Sequence, residues 1–170
     1  MDIEKSVHER QVFSEFARSA GLAVVPESVE AGEPPSPDIK CILDNEYRYF
    51  ELGRILDEEM PKLRIEMFRQ APQPVKPDVS KFGWPERDML VQKLSIRYET
   101  HGLPVDLVLY WDFDNRNWLT ANEPPPIAPF PDMAEDLLTP LLISERHPFS
   151  RIFYFHRRIQ RILWRYPSVA

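Results

Sequence analysis

The chain has 170 residues, a formal net charge of −6, 43% hydrophobic residues and 28% charged residues. That length suits one domain, large enough to bury a core without disulfide or metal staples. The only cysteine, Cys41, excludes an internal disulfide and a Cys-rich zinc site.

The N-terminus, MDIEKSVHER, is charged and lacks an apolar h-region, and no apolar run approaches the roughly 18 residues of a membrane span. A cytoplasmic chain is the expectation. Eighteen prolines against five glycines predict stiff, extended connections. The charge is uneven. Residues 1–60 carry 14 acids and 6 bases, a balance of −8, whereas residues 145–170 carry one acid, Glu145, and six arginines, a balance of +5. An acidic front with an Arg-rich, aromatic tail suits an enzyme that holds a cation at one place and phosphates at another. A solvated surface strand gives the same composition.

In chain order, the first predicted element is a helix from about Glu4 to Ala20, stopped by Gly21. Val12, Phe13, Phe16, Ala17 and Ala20 share one face at helical spacing, and Glu9 lies in the middle of it. A carboxylate centred in an apolar stripe needs a partner, because burying an unpaired charge is costly. A site role is one reading, and a salt bridge to Arg48 or Arg54 is the other. Residues 22–37 read as a loop. A strand over Asp38–Leu43, a turn at Asp44-Asn45-Glu46 and a strand over Tyr47–Leu56 read as an antiparallel hairpin.

Residues 62–69 read as a short helix and the Pro-rich residues 71–85 as an excursion. A helix over Glu86–Thr100 follows, with Leu90, Leu94 and Tyr98 in phase and Gly102 as its stop. VDLVLYW, Val105–Trp111, is the near-continuous apolar run of a strand covered on both faces. After an extended loop, ANEPPPIAPFP, the residues Met133, Leu137, Leu138, Leu141 and Leu142 mark a last helix, and 151–164 reads as a strand or hairpin. The order predicts an α/β or α+β domain, with helices flanking one mixed sheet.

The chemistry concentrates in PPSPDIKCILDNEYRYFELGRI. Asp38 heads one strand and Glu51 lies thirteen residues later on the next, so a hairpin can bring both carboxylates to one side. Two close carboxylates repel, which raises the pKa of at least one and which a divalent cation relieves. Mg²⁺ suits oxygen ligands with retained waters, and such an ion activates water and stabilises charge on phosphate. The histidines form no ligand cluster by spacing. Trp84, Trp111, Trp118 and Trp164 are scattered and read as core or rim residues, and there is no Gly-rich phosphate loop or nucleophile elbow.

A helix bearing a glutamate, a strand opening with Pro37-Asp38, and a following strand bearing Glu51 resemble the PD-(D/E)XK nucleases. The likeness runs over roughly residues 5–111. Residues 132–166 add a helix and an Arg-rich strand or hairpin. The resemblance implies a restriction-endonuclease-like fold and a DNA endonuclease, with Glu9 as the helix glutamate. Asp38 and Glu51 would be its Mg²⁺ or Mn²⁺ ligands.

The family pattern has a lysine two residues after the second acid, where this chain has Gly53. Arg54 faces the other side of a strand, so Lys93 on the following helix, or Lys40, is the candidate for a migrated cation. On this reading a lysine placed at position 53 restores the missing charge, and Arg157, Arg158 and neighbouring arginines contact DNA. The alternative is a catalytically degenerate relative that binds nucleic acid or protein.

Overall fold

A computed structural model describes residues 2–56, 85–112, 130–144, 146–157 and 159–168. The expected helix at 62–69, most of the 71–85 excursion, Trp84, Trp118 and Arg158 lie outside the described residues.

Helix α1 spans Ile3–Ser19. The Asp2 carboxylate caps it by accepting hydrogen bonds from the backbone N–H groups of Glu4 and Lys5. Ala20 closes the helix, and Gly21 follows at φ +65°, a left-handed conformation that a glycine adopts without a Cβ penalty. Val12, Phe13, Phe16 and Ala17 are buried, as their spacing predicts. The Phe16 ring packs 5.0 Å from Phe153 and 5.9 Å from Phe155, and Phe13 lies 4.8 Å from Phe50. Burying each such ring stabilises the fold by about 1.5–3 kcal/mol.

Residues 22–37 hold more structure than a loop. A 3₁₀ turn forms at Pro26–Ser28 and a two-residue strand β1 at Glu30–Ala31. The Ser28 hydroxyl explains the anchoring: it donates to the Val25 carbonyl and accepts from the Ile42 N–H, lacing the segment to its neighbour. Strand β2 is Ile39–Leu43 and β3 is Glu46–Leu56. Leu43 pairs with Glu46 across a two-residue turn in which Asp44 and Asn45 both have positive φ, 53° and 66°. Asp and Asn tolerate that backbone, and the turn's twist matches the strands it joins.

Helix α2 spans Pro85–Ser95, β4 Val105–Asp112, α3 Phe130–Ser144, β5 Phe149–His156 and β6 Arg161–Tyr166. Among the described residues six strands form one sheet in the order β1-β2-β3-β4-β5-β6. The β3–β4 and β4–β5 pairs are parallel and the others antiparallel. The described parts of both parallel crossovers contain a helix, α2 between β3 and β4 and α3 between β4 and β5. Helix α1 packs on one face, over Phe50, Leu52, Val108 and Phe153. Helices α2 and α3 cover the other, over Tyr49, Ile55, Leu107 and Leu109. This is the expected α+β arrangement of a mixed sheet with flanking helices.

The helix expected to run to Thr100 ends five residues earlier. Its last-turn carbonyls find other partners: the Ser95 hydroxyl bonds Gln92 O, and the Lys93 carbonyl accepts from the Ile96 N–H and the Tyr98 hydroxyl. Side chains that satisfy terminal carbonyls in this way compete with helix propagation.

Candidate active site

Asp38 immediately precedes β2. Ile39 pairs with Phe50, so antiparallel register places Asp38 opposite Glu51. The two residues are also bonded through the backbone. The Asp38 N–H donates to Glu51 Oε2 at 3.3 Å, and Asp38 Oδ2 accepts from the Leu52 N–H at 2.9 Å. Gly32 sets this corner. Its N–H donates to the Asp38 carbonyl at 2.7 Å, and a Cβ on it would stand 1.8 Å from the Pro37 carbonyl oxygen. Only glycine permits that approach, so the loop before β2 closes over Pro37-Asp38 and holds the aspartate at the strand entrance.

Period-two alternation puts Glu51 on the face with Tyr49, Gly53 and Ile55, beneath α2. Lys93, near the end of α2, donates from Nζ to Glu51 Oε1 at 2.5 Å. Both side chains are largely enclosed, 14% and 6% exposed. Of the two candidate cations, Lys93 therefore reaches the acids. Lys40 instead lies over the Tyr47 ring, 4.8 Å from its centroid.

Gly53 accounts for this geometry. A Cβ at Gly53 would meet Leu109 Cδ2 at 2.8 Å and Met89 Cγ at 3.0 Å. Met89 and Lys93 are one helical turn apart on α2. A bare backbone at position 53 lets α2 settle close to β3, and that contact carries the Lys93 amine to Glu51. The expectation that a lysine at position 53 simply restores a charge is corrected here, because the space belongs to Met89 and Leu109.

The electrostatics are those of crowded acids. Burial and then the Asp38 charge raise the Glu51 pKa, with Lys93 opposing them. The Glu9 pKa is raised by burial and by Asp38, partly offset by Lys5. Glu9 thus stands within electrostatic reach of the pair, while its ion pair is with Lys5 on its own helix at 3.4 Å rather than with Arg48 or Arg54. Tyr98 is a site neighbour that spacing did not reveal. Burial and then the Glu51 charge push its phenol pKa far up, and its hydroxyl donates to the Lys93 carbonyl at 3.4 Å. It reaches the site only because α2 stops at Ser95, and no residue pattern announces that.

A raised carboxylate pKa means that the folded state binds more protons than the unfolded chain. The stability from Glu9 is therefore largest at low pH and falls as pH rises from 4.5 through its higher folded value. In metal-free buffer Glu9→Gln is expected to melt higher than wild type at neutral pH and to converge with it near about pH 4. Paired melting curves across that range check this, and a variant that melts lower at neutral pH would contradict it. Glu15 has the opposite sign. Its hydrogen bonds to Arg157 lower its pKa, so its contribution is present above 4.5 and lost as pH falls through its lower folded value.

No family model, curated protein or solved structure matches the chain.

Among the described residues no group of three or more His, Cys, Asp or Glu side chains is placed to cage an ion. Asp38 and Glu51 are the two carboxylates held together. That donor set suits Mg²⁺ or Mn²⁺, which bind through one or two carboxylates and keep several waters, and does not suit a closed structural cage. Burial and then the Asp38 charge raise the Glu51 and Glu9 pKa values, and a cation beside the acids would offset the contribution of Asp38.

Of the arginines expected to meet DNA, Arg158 lies outside the described residues and Arg157 is placed otherwise. Arg157 forms a bidentate pair with Glu15, Nε to Oε2 at 2.6 Å and Nη2 to Oε1 at 3.1 Å, tying the end of β5 to α1. Its guanidinium is committed to the fold. Cys41 is buried, its thiol pKa pushed up to about 11 by burial, so it is a core residue rather than a nucleophile.

Proposed function

We propose that this chain is a divalent-metal-dependent DNA endonuclease of the restriction-endonuclease-like kind, in which Lys93 supplies from α2 the cation that the PD-(D/E)XK pattern carries on the strand. The observation behind this reading is the Lys93 ammonium bonded to Glu51 directly opposite Asp38. The succession α1, β1–β3, α2 and β4 supports it, because it sets an acid-bearing helix, a metal-type hairpin and a crossover helix around one point.

In this reading Asp38 and Glu51 would hold Mg²⁺ or Mn²⁺, and the ion would supply Lewis-acid charge and a more acidic water. The residues of the chain do the rest. Lys93 neutralises Glu51 in the resting site and offers an ammonium to the charge that develops on the phosphoryl group. The Asp38 N–H and the Lys93 amine fix the orientation of Glu51. Glu9 adds a third negative charge near Asp38.

One observation favours a non-catalytic module of the same fold. Both Glu51 oxygens already have donors, Lys93 and the Asp38 N–H, so the pair is satisfied without an ion. Thermal melting separates the two readings. Millimolar Mn²⁺ is expected to raise the melting temperature of wild type, because it binds only the folded arrangement, and to leave Asp38→Ala unmoved. Identical curves with and without Mn²⁺ for both proteins would leave the acids a structural role only.

A further inference from the structure

The opposite face of the sheet carries a second charged cluster. Asp106 on β4 is fully buried, and two arginines serve it. Arg48 on β3 donates from Nη1 to Oδ1 at 3.0 Å, and Arg151 on β5 donates from Nε and Nη2 to Oδ2 at 2.9 and 2.5 Å. One arginine neutralises one aspartate, so the second leaves a surplus positive charge held in place by short bonds. Arg165 on β6 pairs in register with Phe153, and the Arg151 guanidinium lies 5.5 Å above that same ring. Arg151 and Arg165 are therefore diagonal neighbours on one face. Arg165 is exposed and forms no ion pair among the described residues. In a chain of net charge −6, a row of three arginines over one aspartate is a local reversal of sign.

We infer that Arg48 and Arg151, oriented by Asp106, form with the neighbouring Arg165 a phosphate-binding patch separate from the Asp38–Glu51 site. The guanidinium fork matches phosphate oxygens, and a carboxylate that clamps two forks removes most of the rotamer freedom that binding would otherwise cost. Arg48 and Arg151 keep 20% and 34% of their side-chain surface, so N–H groups not used by Asp106 are within reach of an anion. The ligand is a phosphate ester, either a free small phosphate or the backbone of a nucleic acid. Because the patch lies on the α1 face and Glu51 faces α2, this inference does not depend on the nuclease reading.

The test titrates inorganic pyrophosphate and a short oligothymidylate into the full chain, with EDTA present and ionic strength held constant by chloride. Pyrophosphate is expected to raise the melting temperature, and Arg165→Glu, a change at an exposed side chain, to weaken its affinity by about tenfold or more. Arg151→Gln should weaken it further, while Asp38→Ala should leave it unchanged. Arg165-dependent competition by the oligothymidylate identifies a nucleic-acid backbone as the ligand. Binding of pyrophosphate without such competition identifies a free phosphate. No stabilisation beyond that of chloride, or a wild-type affinity in Arg165→Glu, overturns the patch whether or not Arg151→Gln folds.

Discussion

Asp38→Ala or Glu51→Ala is expected to abolish Mn²⁺-dependent cleavage of DNA, and Lys93→Ala to slow it by about 10²–10³-fold. The order of effects follows from what each group holds. Loss of either acid removes half of the carboxylate donors and one of the two negative charges that would hold and position the cation. Loss of Lys93 leaves both acids in place and removes only charge stabilisation near the phosphate, with Glu51 left more crowded by Asp38. Wild-type cleavage should itself be slow and silent without Mg²⁺ or Mn²⁺. Lys93→Arg sharpens the test, because a guanidinium keeps the charge but cannot deprotonate. Partial activity in Lys93→Arg therefore assigns Lys93 an electrostatic role, and none assigns it proton transfer or exact placement of the ammonium. The assay needs single- and double-stranded substrates and each divalent ion in turn. Activity that survives loss of both acids would mean another site or a contaminant. A wild type inert under every ion would leave the non-catalytic module.

The sequence made the sheet and the acid pair legible because both are written in short-range pattern. The hairpin follows from its two apolar strands and polar turn. The expected turn, Asp44-Asn45-Glu46, is one residue longer than the observed Asp44-Asn45 turn, and it is the Leu43–Glu46 register that sets Asp38 opposite Glu51. The apolar run Val105–Trp111 announced a strand covered twice, and its side chains are buried throughout. What remained illegible depends on contacts distant in sequence. Nothing near Asp106 states that Arg48 and Arg151 will converge on it from two other strands. The end of α2 turns on the Ser95 and Tyr98 hydroxyls, so helical phase carried the expected helix too far. Arg157 looked like a surface cation because Glu15, its partner, is 142 residues away. Gly53 was the most misleading position. Read along the strand it is a missing lysine, whereas in the fold it is the space that admits α2.

That last point yields an expected result opposite to the one the motif suggests. Gly53→Lys should not raise activity. It should lower the stability of the protein by roughly 3 kcal/mol or more, since a Cβ alone meets Leu109 and Met89 at 2.8 and 3.0 Å, and three further methylenes and an ammonium must follow. For a chain of this size that is a fall in melting temperature of about 6–12 °C. Displacing α2 to make room also draws the Lys93 amine off Glu51, so one substitution adds a cation and removes another. Room can be made by design. Met89→Ala clears the side chain that occupies the position, and Gly53→Lys with Met89→Ala and Lys93→Ala moves the ammonium from the helix to the strand. If position and charge are what matter, this triple variant should recover part of the cleavage lost in Lys93→Ala, while Gly53→Lys alone recovers none. Melting curves and cleavage rates for the four proteins decide between them. A Gly53→Lys variant as stable as wild type would show that α2 does not rest on Gly53. In that case the close helix–strand contact would no longer explain how Lys93 reaches the acids.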